Sequence, residues 1–344
     1  MGVNIKNLLV RKEIAFTSLS NKKLAVDSFN VLYQFLSTIR QRDGSLLTDS
    51  QGNVTSHLTG LFSRTMRLLQ YGMKPAFVFD GVAPKLKEAE RARRKSLKLG
   101  ALEKHKVAER EGNIDDMKKY ASRTSVLNGE MIKESKALIT ALGLPTIQAP
   151  SEGEAQAAAM VANGDLYAEI SQDYDCLMFG VPRMVQNLTI SPRKKLPNKL
   201  SYEKISPIMI DLQDNLSSLG ISRDQLIALG MLVGTDFNVG GVKGIGPKNA
   251  LKIVKEFGEN FSELFEKVEW DNYFDFSWET VFDTIKKMPV TNDYSLKWNP
   301  VDREKVIELL VEQHEFSRDR ITSSLDKLDN ELKKHSQKGL SDFF

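Results

Sequence analysis

Cysteine is almost absent from this 344-residue chain; Cys176 is the only one. A lone thiol excludes a disulfide framework and a zinc site built from cysteines. Histidine is scarce as well: His57, His105, His314 and His335 are scattered and lack ligand spacing. No run of about 18 consecutive apolar residues occurs, and the N-terminal stretch has no signal-peptide pattern. A soluble intracellular protein without a membrane partner is therefore expected. Internal repeats and long low-complexity linkers are missing too. So is a strong excess of one charge, the net charge being only +3. That balance by itself does not demand a nucleic acid.

What is present is an ordinary globular composition, 41% apolar, at a length that suits one large α/β domain with appendages. Three apolar runs read as buried parallel strands: Lys23 to Val26, Pro75 to Phe79 and Tyr167 to Ser171. Thr55 to Tyr71 and Gly129 to Leu142 carry helical spacing. Strands alternating with helices predict a central, mostly parallel sheet flanked by helices. From Lys85 to Arg110 there are ten Lys and Arg against four Glu. That segment, to Tyr120, is charged on all faces and reads as a helical arch projecting from the core. Ile221 to Phe261 is helical but broken at Gly240-Gly241 and at Gly244-Ile-Gly246-Pro247. Beyond Asp302 two helical stretches lead to a tail.

Each predicted strand is followed by acid: Asp27, Asp80, then Asp173 and Asp175. Ligands in such sheets sit outside the carboxyl ends of the strands. Glu152, Glu154 and Asp236 complete a set of seven. Singly, each has a bland reading. Asp27-Ser28 and Asp80-Gly81 suit strand-end turns, Ser151-x-x-Glu154 fits a capping box, Glu152 suits a helix dipole, and Asp236 could be a cap. Together they would repel one another and rise in pKa. Mg²⁺ or Mn²⁺ relieves this, because hard cations prefer carboxylate oxygen. A pair of ions about 3.5–4 Å apart can hold a scissile phosphate and activate water. Residues 152 and 154 point to different faces of a continuing helix. They converge only where the helix has barely begun, as Pro150-Ser151 suggests.

At these residues the chain resembles the flap endonuclease branch of the structure-specific 5′ nucleases, in an archaeal-like version. The stretches are Met1-Gly-Val-Asn, Ala25-Val-Asp-Ser28, Val78-Phe-Asp-Gly81, Ala149-Pro-Ser-Glu-Gly-Glu-Ala155, Gln172-Asp-Tyr-Asp-Cys-Leu177, Gly234-Thr-Asp236 and Gly244-Ile-Gly-Pro-Lys248. They come in family order and span almost the whole chain. The resemblance implies a structure-specific 5′ flap endonuclease, with 5′→3′ exonuclease activity, serving DNA replication (Okazaki fragment maturation) and repair. It assigns Asp27, Asp80, Glu152 and Glu154 to one Mg²⁺ and Asp173, Asp175 and Asp236 to a second, with Mn²⁺ as a substitute. Phe237 stands where the family usually has Tyr, which removes a hydroxyl but no ligand. A monomer is expected, cytoplasmic in an archaeal-like cell and nuclear in a eukaryotic one.

Lys87 and Arg94 are seven residues apart, about two helical turns, so one helix can present both to one side. The resemblance makes them contacts to the scissile phosphate; the bland reading is a solvated charged face. Tyr33 could stack on a base, although an aromatic there also suits a core. Arg40, Arg64 and Arg67 are candidate phosphate contacts. Gly244 and Gly246 open a helix whose amides could approach a phosphate, with Lys243, Lys248 and Lys252 nearby. They match a helix–hairpin–helix element, which grips duplex backbone; in this family its carbonyls also hold a K⁺ ion. No clean strand precedes these glycines, which rejects a dinucleotide fingerprint. The terminal Gln337-x-x-Leu340-x-x-Phe343-Phe344 suits one tight turn with an aromatic plug. It resembles the peptide that docks on the DNA sliding clamp.

The expected boundaries are a single nuclease domain over 1–330. Its N-terminal region covers about 1–100, the arch 83–125, and an internal region 126–260. The last includes the helix–hairpin–helix at 221–260. C-terminal helices occupy 261–330, and a flexible tail 331–344 carries the clamp peptide 337–344. Three rivals compete. A noncatalytic clamp-associated scaffold predicts missing acids, and none is missing. A repair-type 5′ exonuclease is disfavoured by the compact spacer between Asp80 and Glu152 and by the immediate clamp tail. A small-substrate phosphatase has no use for a basic arch or a duplex grip.

Overall fold

A computed structural model describes the backbone of residues 2–121, 124–190, 193–195 and 202–341. It describes their side chains except at 193–195, 202–204 and 335–341. The strands are β1 (Lys12–Glu13), β2 (Lys23–Asp27), β3 (Lys74–Phe79), β4 (Thr146–Gln148), β5 (Ala168–Ile170), β6 (Arg183–Gln186), β7 (Arg193–Lys195), β8 (Tyr202–Lys204) and β9 (Ile208–Asp211). Seven of them form one sheet in the order β1-β9-β6-β5-β2-β3-β4, and β7 and β8 form a separate ribbon. Pairing is parallel from β6 through β4 and antiparallel where β9 meets β6 and β1. The three expected strands lie at the centre. The short strands β1, β4, β6 and β9 extend the sheet on both sides and escaped the sequence reading.

Side chains alternate across the sheet. Leu24 and Val26 of β2 join a core with Phe79, Leu61, Leu138, Val306 and Leu325. That core lies under α1 (Ser28–Thr38), α2 (Ser56–Gln70), α5 (Gly129–Ala141), α13 (Arg303–Ile307) and α14 (Arg318–Ser341). Ala25 faces the opposite core, with Val78, Ala158, Leu229, Val254, Trp270 and Ile285. Covering that face are α6 (Gly153–Ala162), α7 (Asp175–Met178), α8 (Leu212–Leu219), α9 (Arg223–Val233), α10 (Pro247–Phe257), α11 (Phe261–Lys267) and α12 (Trp278–Lys286). The result is a three-layer α/β/α fold, as the alternation of strands and helices predicts.

The arch consists of α3 (Glu88–Arg110) and α4 (Ile114–Ala121), entered through a single 3₁₀ turn at Lys85–Lys87. Only Glu90, Ala101 and Ala108 of α3 are buried, so it is held by its ends and by α4 rather than by a core.

Two histidines that are far apart in sequence share one carboxylate, Glu134. His57 Nε2 lies 2.9 Å from Glu134 Oε2, and His314 Nε2 lies 3.4 Å from Glu134 Oε1. His314 Nδ1 is 3.2 Å from Asp49 Oδ2. This chain of contacts ties the C-terminal segment to α2 and α5. The helix α14 runs on through Ser341, so the backbone expected to be a flexible tail from residue 331 is helical that far. The clamp-peptide side chains of Gln337 and Leu340, and Phe343 and Phe344 altogether, lie outside the described residues. Among the described residues no helix is long and apolar enough to cross a membrane.

Candidate active site

All seven predicted acids, with Lys87, Arg94 and Tyr33, line one cleft of about 840 Å³. Sheet geometry explains the convergence. Asp27 is the last residue of β2, Asp80 follows β3, and Asp173 follows β5. These parallel strands end together, so their acids meet. Glu152 is the N-cap of α6 and Glu154 lies in its first turn. Both therefore reach the cleft although they are two apart, because the helix has only begun there.

Backbone amides hold several of these carboxylates. Gly153 N–H donates to Asp80 Oδ1 at 2.7 Å. Gly2 N–H donates to Asp173 Oδ1 at 3.1 Å and Val3 N–H to Asp175 Oδ1 at 2.6 Å. A Cβ on Gly2 would lie 2.7 Å from Asp175 Oδ1, so only glycine allows this approach. Asn30 donates twice, from its backbone to Asp27 Oδ1 at 3.2 Å and from Nδ2 to Asp173 Oδ2 at 2.8 Å. Asp27 is thus an N-cap of α1 as well as a cleft acid. The capping box at Ser151 is not formed; its hydroxyl instead donates to Val82 O at 2.9 Å. Ser171 Oγ donates to Glu154 Oε1 at 3.0 Å.

Burial and mutual repulsion shape the electrostatics. Burial, then the charges of Asp80 and Asp173, hold Asp27 well above the usual carboxylate range. Burial, then Asp27, does the same for Glu154. Asp80 is pushed up to about 6 by burial and by Glu152. Asp175 also reaches about 6, chiefly through burial. A cluster of oxygen donors that resists ionisation is the donor set that suits a hard divalent cation. Among the described residues no group of three or more such side chains is already arranged around an ion position, so it is the chemistry of the oxygen donors that fits a divalent ion.

The arch supplies the opposing charge. Lys87 Nζ lies 2.5 Å from Glu152 Oε2 and 3.5 Å from Asp236 Oδ2. Burial pulls the Lys87 ammonium down, but Glu152 and Asp236 outweigh it and hold its pKa above the ordinary value. Arg94 Nη2 donates to both oxygens of Asp236, at 2.7 and 2.8 Å. Its Nε donates to Glu90 Oε1 at 2.6 Å. Glu90, buried at 3% exposure, also takes two hydrogen bonds from Arg93. It therefore orients the guanidinium that faces Asp236. The sequence reading missed it, although its place four residues before Arg94 on a helix was a usable signal. Asn30 was missed as well; the residue after a strand-end Asp-Ser-Phe carries no distinctive signal.

Other expected residues lie elsewhere. Arg40 donates to Gly44 O at 2.7 Å and to Ser125 Oγ at 2.5 Å, which ties it to the return of the arch; it does not line the cleft. Arg64 is half-buried, and Arg67 sits 4.3 Å from the Phe16 ring centroid; neither lines the cleft. Tyr33 remains 38% exposed at the cleft wall, with Lys98 Nζ 5.0 Å from its ring centroid. Phe237 is buried, its ring centroid 5.2 Å from Lys87 Nζ. Lys243, Gly244, Gly246, Lys248 and Lys252 form a separate exposed end at the start of α10, away from the cleft lining. Gly244 has φ +85°, and a Cβ there or on Gly246 would meet nothing within 4 Å.

Comparison with known proteins agrees with this geometry. Residues 3–101 match the XPG N-terminal domain and residues 143–236 the XPG I-region. Flap endonuclease 1 of Thermococcus onnurineus is 46% identical over 344 residues, covering 100% of this chain and 99% of that protein. The structure of flap endonuclease-1 from Methanococcus jannaschii superposes with a TM-score of 0.76 at 39% identity, over 97% of this chain and 100% of that one. The catalytic core of Rad2 in complex with a DNA substrate gives a TM-score of 0.69 at 25% identity, over 94% and 97%. Nucleases of this group depend on divalent metal. The chain belongs to the flap endonuclease family of structure-specific 5′ nucleases.

Proposed function

We propose that the cleft hydrolyses a phosphodiester near the single-strand/double-strand junction of a 5′ DNA flap with two Mg²⁺ ions, Mn²⁺ serving as a substitute. The convergence of seven carboxylates under a cationic helix carries this reading. Asp27, Asp80, Glu152 and Glu154 would hold one ion; Asp173, Asp175 and Asp236 would hold the other. The ions supply Lewis acidity and a water activated at neutral pH. The protein's own groups do the rest. Amides at Gly2, Val3 and Gly153 fix the carboxylates in place. Lys87 and Arg94, released from Glu152 and Asp236, contact the scissile phosphate and offset developing charge. Glu90 keeps Arg94 oriented, and Tyr33 offers a face for a base beside the cut.

Duplex is held at the glycine-rich end of α10, through amides at Gly244 and Gly246, Lys243, Lys248 and Lys252, with a K⁺ ion on nearby carbonyls. Arg64 and Arg67 are secondary phosphate contacts. The chain works as a monomer, and its terminal residues Gln337, Leu340, Phe343 and Phe344 engage a sliding clamp. A DNA substrate places it with the chromosome, in the cytoplasm of an archaeal-like cell. The test is one purified sample assayed on flap, nicked and blunt DNA with and without Mg²⁺. Flap-selective, Mg²⁺-dependent cleavage supports the reading, and metal-independent or flap-blind cleavage refutes it.

A further inference from the structure

One acid near the cleft has no role in the scheme above. Glu169 sits in the middle of β5, where Ala25 of β2 and Met184 of β6 flank it in register. It is 0% exposed, and neither carboxyl oxygen has a hydrogen-bond partner among the described residues. An unpartnered carboxylate in an apolar row is strongly unfavourable and is not retained there for packing. Alternation along the strands shows where it stands. Asp27 lies two residues beyond Ala25 on β2, and Ser171, which hydrogen-bonds Glu154, lies two beyond Glu169. Glu169 is therefore one step behind Asp27 and Ser171 on the same face, below the floor of the cleft. Burial, then the Asp27 charge, holds its carboxyl well above the usual range, and Glu154 in turn feels Glu169. On the sheet its neighbour on one side is the small Ala25 and on the other Met184.

We propose that Glu169 is an eighth carboxylate of the divalent-ion site, holding a cation at the base of the cleft together with Asp27 and Glu154. This rests on the metal-centre reading above and adds to it a ligand outside the seven acids. Two free oxygens beside two further buried acids are a hard-cation donor set, and the cation supplies the partner that Glu169 lacks.

The experiment measures Mn²⁺ binding to DNA-free protein by the EPR signal of the free ion, with metal-free melting recorded in parallel. Glu169→Gln keeps the shape and removes the anionic donor. It should weaken Mn²⁺ affinity at least tenfold or lower the number of ions bound, while melting without metal no lower than wild type. Glu169→Met, which fills the space without polar atoms, reads the same constant should the amide disturb folding. Wild-type Mn²⁺ affinity and stoichiometry in either folded variant would overturn the proposal. Failure of the wild type itself to bind Mn²⁺ would instead refute the metal-centre reading.

Discussion

Stripped of metal, this protein should lose stability as pH rises from about 4.5 to 7. Asp80 and Asp175 are held at about 6 in the folded chain. In an unfolded chain an aspartate titrates near ~3.9. Between those values the folded state keeps a proton that the unfolded state has released. The stabilisation is thus present at low pH and disappears as pH climbs through the folded value. Two units at about 1.4 kcal/mol each is about 3 kcal/mol per group, or on the order of 5 kcal/mol for the pair. An unfolding entropy of about 2.1 cal/mol/K per residue gives roughly 0.7 kcal/mol/K for a chain of this length, so the melting temperature should fall by about 7 °C. Calorimetry in EDTA across that range reads it. Asp80→Asn/Asp175→Asn should make the profile shallower, Asp27 and Glu154 keeping part of the slope, and saturating Mg²⁺ should reverse it, because protons compete with the ion for the same oxygens. Parallel profiles for wild type and double variant in EDTA would refute the reasoning.

Asp175→Ala or Asp80→Ala should abolish cleavage while leaving flap DNA bound; wild-type cleavage by either in Mg²⁺ would sink the metal assignment. Arg94→Ala should lower single-turnover cleavage by about 10²–10³-fold, the scale of one preorganised charge-stabilising donor, with a much smaller change in binding. Equal losses in both constants at one salt concentration would make Arg94 a phosphate anchor only. Phe343→Ala/Phe344→Ala should cut flap DNA normally alone but bind the sliding clamp at least tenfold more weakly, since burying each Phe is worth roughly 1.5–3 kcal/mol before ordering. Unchanged calorimetric affinity for the clamp would refute that docking role.

Asp27, Asp80, Asp173 and Asp175 could be placed at one end of the sheet because each follows an apolar strand run, and parallel strands bring their ends together. Glu152 and Glu154 could be placed because Pro150 bars an earlier helix start. The edge of the sheet was not legible. Strand β4 is three residues long and β1 two, too short for any periodicity to register. Glu169 was hidden by its strand, since Tyr167-Ala-Glu-Ile-Ser171 reads as one buried run whose closing acids, Asp173 and Asp175, draw the attention. In this sheet both faces are covered, so there is no outward side for it. The sharing of Glu134 by His57 and His314 spans most of the chain and leaves no local pattern. Arg40 shows how an internal contact escapes the sequence. A cation near a nucleic-acid site suggests phosphate, yet its guanidinium is engaged by Gly44 and Ser125.

The seven acids are not equivalent, and the difference lies in what faces each. Asp236 and Glu152 have cations against them, Arg94 and Lys87. Asp80 and Asp175 have backbone amides, which only partly offset burial. Asp27 has one amide and Glu154 one hydroxyl, and burial with neighbouring charge holds both well above the usual carboxylate range. The basic stripe that reads in sequence as a DNA-facing surface is therefore, at Lys87 and Arg94, also the counter-charge of the cleft. On the proposed reading, a phosphate that drew these two cations away would expose Asp236 and Glu152, and a divalent ion would offset their charge. Helix α3 belongs to the acidic site as much as to the arch above it.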